Sequence, residues 1–260
     1  MKKIYPYLRA DLKRAACSRK IALSIVLTTG VLLLATHEGI ALNTDVLYVF
    51  SLVMYGMPSM LILVCGATAF ADSLCEDMQK KYILQQSIRG DMKSYVSARV
   101  ISIFIASVLS SALGIFLFAC ILHIGLPWAD TDGAQYDIMV HAGRLSFILR
   151  CRWFPLYYFS YGVQYGILVG ILAVWASFFS IYISNQMLVL STPMIIYYFA
   201  DYALTKISSG LLNLSIIFSP ASKFFENDVL SVLFIALIAS ANLILIRCFM
   251  IKGLRRKFYE

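Results

Sequence analysis

His37 and Glu38 are adjacent, as at the start of the His-Glu-x-x-His helix with which zinc proteases hold a metal and a general base, but the second histidine is missing at the required spacing. With only His123 and His141 besides, no metal site is expected. The six cysteines, Cys17, Cys65, Cys75, Cys120, Cys151 and Cys248, contain no Cys-x-x-Cys pair, and only Cys120 and Cys151 are placed to meet outside a reducing compartment. No nucleophile with a companion base can be picked out. A Gly-x-x-x-x-Gly-Lys-Ser/Thr loop is absent as well, so the chain carries no recognisable ATP site and is not expected to be an enzyme by itself. Asn213-Leu-Ser215 fits a glycosylation sequon, a pattern short enough to arise by chance. What remains is a set of polar groups in apolar surroundings: Gln164, Asn242 and His123. Each either bonds across helices or faces a substrate path, the structural bond being the commoner use.

Those surroundings define the elements. From Trp153 to Ala200 the chain runs 48 residues without Asp, Glu, Lys or Arg. An ionised side chain at the hydrocarbon centre costs about 2.5–3.5 kcal/mol, whereas each Leu, Ile, Phe or Val there gains about 0.3–0.6. With 60% hydrophobic and 14% charged residues and a mean hydropathy of +0.79, residues 1–260 read as one membrane domain. Crossing about 30 Å of hydrocarbon takes roughly 20 apolar residues. Six such stretches can be placed, at Ile21–Leu42, Val46–Ala71, Val96–Gly125, Pro155–Ile183, Gln186–Leu204 and Val229–Met250. Ser184-Asn185-Gln186 supplies a turn inside the charge-free run, and Asp201 closes the fifth stretch.

The net charge of +8 is spread over separated segments, which points to topology and not to nucleic acid. The arms on one side hold 17 of the 22 Lys and Arg residues. The positive-inside tendency places that side, and both termini, in the cytoplasm. Residues 1–20 pair a helical repeat of Tyr5, Leu8, Leu12 and Ala15 with Arg9, Lys13, Arg14, Arg19 and Lys20, which fits a helix lying in the headgroup plane. Residues 72–99 are the most polar stretch and suit two short helical pieces joined at Gly90-Asp91, the second running into the third span. Tyr82, Ile83 and Ile88 would be costly there on a free loop, so they lie against the membrane or dock on a soluble partner. Gly162, Gly166 and Gly170 share one face of the fourth span, where they favour close helix packing over pore lining.

Six spans with termini inside, the basic lead-in, a Phe70-x-Asp72 exit from the second span and a polar stretch ending Lys93-Ser-Tyr95-x-x-Ala98-Arg99 resemble the permease subunits of type-2 ABC transporters. The likeness extends to Leu211–Phe218, which is too short to cross and is stopped by Ser219-Pro220, similar to that family's short external re-entrant helices between spans five and six. The resemblance implies an all-α, multi-pass protein of a bacterial plasma membrane. It also implies a coupling helix, with Lys80, Lys81, Tyr82, Gln85, Gln86, Arg89 and Asp91 meeting an ABC ATPase subunit. Two ATPase copies, which bind ATP and Mg, and a second permease, the same or related, complete the implied complex. An exporter of a peptide, lipid-like or drug-like compound, or a self-protection transporter, is the expected function. The external loop 126–154 is longer than is usual for that family and reads as a surface loop folded over the outer mouth in preference to a substrate gate or a partner-binding cap, with Asp130-Thr-Asp132-Gly133 as a turn and Tyr136, Val140 and Arg144 at helical spacing. The alternatives are an ion-coupled secondary transporter, which would need carboxylates near mid-membrane, or a non-transporting membrane subunit.

Overall fold

The computed structural model describes residues 4–36, 45–80, 82–83, 91–207, 213–222 and 228–259. These are helical, with no strand among the described residues. Four helices are long and apolar enough to cross a membrane, and up to six if each of two bent pairs counts as one span.

α1 (Tyr5–Ala16) begins with Pro6 in its first turn, where the missing N–H costs nothing. It breaks at Cys17, and Ser18 starts α2 (Arg19–Ala35) in extended geometry, its hydroxyl accepting from the Lys20 N–H. The two axes differ by 55°. Residues 37–44, with His37 and Glu38, lie outside the described set. The apolar stretch read as one second span is two helices, α3 (Val46–Tyr55) and α4 (Pro58–Ala67), bent by 78°. Gly56 and Pro58 cause the break: Gly56 caps α3 in extended geometry, and Pro58 can start a helix but not continue one.

α5 (Ser73–Gln79) follows, then α6 (Met92–His123), whose first turn is capped by Asp91 through the Lys93 N–H and the Ser94 hydroxyl. Two short helices, α7 (Ala134–Ala142) and α8 (Ser146–Arg150), form the long loop. α9 (Phe154–Phe179) and α10 (Gln186–Ile207) are separated by the polar turn at 184–186, and α10 runs past Asp201 for almost two further turns. α11 (Leu214–Phe218) is a five-residue stub, and α12 (Asp228–Tyr259) is the last long helix.

α6 and α9 form the most extensive contact in the bundle. The glycines at 162, 166 and 170 lie on it: a Cβ on Gly162 would meet the Ala112 carbonyl oxygen at 2.9 Å, one on Gly166 the Val108 carbonyl oxygen at 2.9 Å, and one on Gly170 the Phe104 ring at 2.8 Å. The core divides into two clusters. Around Phe50, the rings of Tyr158 and Tyr161 meet edge to face at 5.0 and 4.9 Å. The other cluster, at the basic end, gathers Phe70, Leu74, Ile83, Tyr95 and Met250. Ile83 is thus buried in the chain itself, neither laid on a membrane nor held out for a partner.

α7 and α8 cap the far end. The buried Arg144 follows α7 and does not extend it; its N–H bonds the Pro220 carbonyl at 2.9 Å and its Nη1 the Ile217 carbonyl at 2.5 Å, which fastens the cap to α11. All six cysteines are free.

Candidate functional site

Two places in the molecule concentrate polar groups. The first is at the basic end, where three local helical repeats converge: Asp72, Glu76 and Asp77 on or beside α5, Tyr95 and Arg99 one turn apart on α6, and Asp11 and Arg14 on α1. Arg99 is fully buried. Its Nη1 reaches Asp11 Oδ1 at 3.1 Å, while its Nη2 pairs with Asp77 and donates to the Tyr95 hydroxyl oxygen at 3.0 Å. The Tyr95 hydroxyl in turn donates to Asp77 Oδ2 at 2.8 Å, and the Phe70 and Tyr95 rings each lie 5.4 Å from the guanidinium. Arg14 bonds Asp77 at 2.8 Å and approaches Glu76 at 3.5 Å; Lys20 bonds Asp72 at 2.6 Å and also Glu76. Buried charges are tolerated only when partners replace the lost water, and here each carboxylate pairs with a base from another helix, Asp77 and Glu76 with bases from two. The result is a strut joining α1, α2, α5 and α6.

α5 reaches the other half of the bundle too. Gln79 Nε2 donates to the Ser184 carbonyl at 2.8 Å, in the turn between α9 and α10. Of the residues expected to couple to an ATPase, Lys80 is exposed with its ammonium 3.9 Å from Glu76, Tyr82 is 41% exposed and Asp91 caps α6. Lys81, Gln85, Gln86 and Arg89 lie outside the described residues.

Burial pushes the Glu76 carboxyl up, but the Lys20 hydrogen bond and the charges of Lys20, Lys80 and Arg14 outweigh it and hold the group below its ordinary 4.5. Folded Glu76 therefore binds protons less readily than unfolded Glu76. Its contribution is present above about pH 4.5 and is lost as pH falls through the lower folded-state value. The melting temperature of detergent-purified protein is expected to drop below that pH, and the Glu76→Gln variant to start lower at pH 7 and to lose part of that slope. Parallel pH profiles for the two proteins would remove Glu76 from the effect.

The second place is a cavity of about 230 Å³ where the α3–α4 break faces α9, α10 and the residues that follow α11. Tyr161, Tyr165, Tyr197 and Asp201 line it. The Tyr165 hydroxyl donates to the Ser59 carbonyl at 2.8 Å, in the first turn of α4, and Asp201 Oδ1 accepts from the Leu214 N–H at 2.8 Å. Tyr55 and Ser222 belong both to this cavity and to a wider recess of about 670 Å³ beneath α7. The two spaces adjoin.

Gln164, Asn242 and His123 line neither space. Gln164 is buried with Nε2 3.5 Å from the Phe218 carbonyl, Asn242 bonds the Ile238 carbonyl of its own helix at 2.9 Å, and His123 stacks on Trp128 at 3.9 Å. The cavity residues went unread in the sequence. Tyr161 and Tyr165 stand one turn apart on α9, a usable signal, but one masked by the many aromatic residues of the chain. Among the described residues no cluster of His, Cys, Asp or Glu could hold a metal ion. Compared with family models, with curated proteins and with solved structures, the chain matches none.

Proposed function

We propose that the chain is the permease subunit of an ATP-driven transporter of the type-2 ABC kind, with its basic end in the cytoplasm and its ATPase a separate chain. The observation that carries this reading is the strut. The motif residues Phe70, Asp72, Tyr95 and Arg99 meet there with α1, on α5 and α6 or beside them, the helices that flank in sequence the 80–91 segment proposed for coupling. A load on that segment would pass through α5 to α1 and α6 by ion pairs and to the α9–α10 turn by Gln79. The recess and cavity at the far end would then form the outer part of a substrate path, with α7 and α8 as its cap. Export remains the preferred direction, and a second permease, the same or related, is expected to complete the pore.

Purification in mild detergent is expected to yield a stoichiometric ATPase. In that complex, Tyr82→Ala and Arg89→Glu should each lower transport per ATP hydrolysed several-fold while insertion and yield stay at the parent level. Unchanged coupling in both variants would withdraw the assignment of the 80–91 segment.

One observation favours a second reading. Asp201 lines a cavity within the bundle, and ion-coupled carriers use carboxylates so placed. Flux driven by a proton or sodium gradient, without nucleotide and without a companion ATPase, would decide for it.

A further inference from the structure

We infer that the cavity between the α3–α4 break and α9–α10 binds an organic ammonium ion, with Asp201 as its counter-charge and the rings of Tyr161, Tyr165 and Tyr197 as its walls. This gives the proposed permease a ligand class and rests on that reading for its role in transport, although binding itself can be measured without nucleotide.

Among the described residues the lining holds one carboxylate and no Lys, Arg or His. Among the described residues no basic side chain pairs with Asp201. The nearest base along α10, Lys206, has its ammonium over the Tyr202 ring at 5.8 Å. Asp201 keeps one backbone hydrogen bond, which holds the carboxylate in place but does not neutralise it. A carboxylate that lines a cavity, with no counter-ion among the described residues, favours a cation in the space beside it. An anion would meet that charge with only hydroxyl donors in return. A neutral apolar guest would leave the charge uncompensated.

The wall decides which cation. Hard metal ions take six or more oxygen ligands, whereas the lining sets four tyrosines and the methionines Met54 and Met60 beside a single carboxylate. Aromatic faces attract an alkylated ammonium through the ring quadrupole and cover its carbon substituents at the same time. The adjoining recess beneath α7, which shares Tyr55 and Ser222 with the cavity, gives such a molecule a route in from the far end.

The test uses the full chain in lipid nanodiscs without nucleotide, titrated with choline, tetraethylammonium and benzyltrimethylammonium, and with 3,3-dimethylbutanol as the uncharged counterpart of choline. At least one of the three cations is expected to bind saturably, and the alcohol at least tenfold more weakly than choline wherever choline binds. Asp201→Asn keeps an oxygen to accept from the Leu214 N–H while removing the charge, and should weaken cation binding at least tenfold. Tyr161→Leu, which leaves the charge in place, should weaken it several-fold. Binding of none of the cations, equal affinity in the Asp201→Asn protein, or displacement by sodium at matched concentration would overturn the inference. Cation binding by a chain that recruits no ATPase would reject the transporter reading and keep the site. An ATP-hydrolysing complex with no cation binding would do the reverse.

Discussion

Arg99→Met is expected to be the most damaging single substitution in the protein, lowering stability by about 3–5 kcal/mol, the usual cost of stranding a buried charge. Arg99 is 0% exposed and is the one base that meets both Asp11 and Asp77. Without it Asp11 loses its ion-pair partner, and Asp77 keeps only Arg14 as a charged partner, which is 40% exposed and therefore partly screened, beside the Tyr95 hydroxyl. Methionine fills most of the volume, so the loss measures the charge and not a hole. Arg99→Lys should fall in between, because a single ammonium cannot present the fork that spans Asp11, Asp77 and the Tyr95 hydroxyl. Adding Asp77→Asn to Arg99→Met should recover part of the loss by removing one stranded carboxylate. The check is the melting midpoint and the monodisperse yield of each variant in detergent. If Arg99→Met melts alongside the parent, the strut does not hold α1 and α5 together.

The second large effect is expected along the α6–α9 contact. Replacing a helical glycine by a residue with a Cβ ordinarily stabilises, by up to about 1 kcal/mol for alanine, so the sign at each site depends on what the new atoms meet. At Gly162 and Gly166 they meet carbonyl oxygens of the neighbouring backbone, at Ala112 and Val108, which no rotamer change can move. Gly162→Val and Gly166→Val should therefore force the helices apart and destabilise by about 1–3 kcal/mol. Gly170 meets mainly the Phe104 ring, a side chain able to shift, so Gly170→Ala should cost less than Gly166→Ala. Gly30 has nothing within 4 Å, and Gly30→Ala should be neutral or mildly stabilising. The same ranking is the measurable outcome: one melting curve per variant, with Gly30→Ala at the top and Gly162→Val or Gly166→Val at the bottom. A flat series would mean that close approach is not what these glycines provide.

How legible all this was depends on the range of the interaction. Apolar length alone located α6, α9, α10 and α12, because burial of about 20 residues is a property of one segment. The spacing of Gly162, Gly166 and Gly170 was equally local. The bend between α3 and α4 was written in Gly56 and Pro58, yet the unbroken apolar run on either side outweighed that signal. Gly114 also packs closely, its missing side chain leaving room for Thr28 of α2, but no second glycine at helical spacing marked it. Asp201 read as the end of a span because a charge usually ends one; α10 nevertheless continues to Ile207, and Asp201 lines a cavity. The strut was out of reach. Asp11 and Arg99 are 88 residues apart, and nothing local in the sequence records that the two will meet.

That separation fixes an order of events during synthesis. At about 5–20 residues per second, Asp11 is made roughly 4–18 s before Arg99. Throughout that interval Asp11 lacks its Arg99 partner, so the amino-terminal helix is expected to rest in a hydrated place. The third long apolar segment is therefore expected to act as the keystone of biogenesis: a nascent chain arrested short of residue 99 should expose its first helix to proteases, and one released beyond it should seal that helix in.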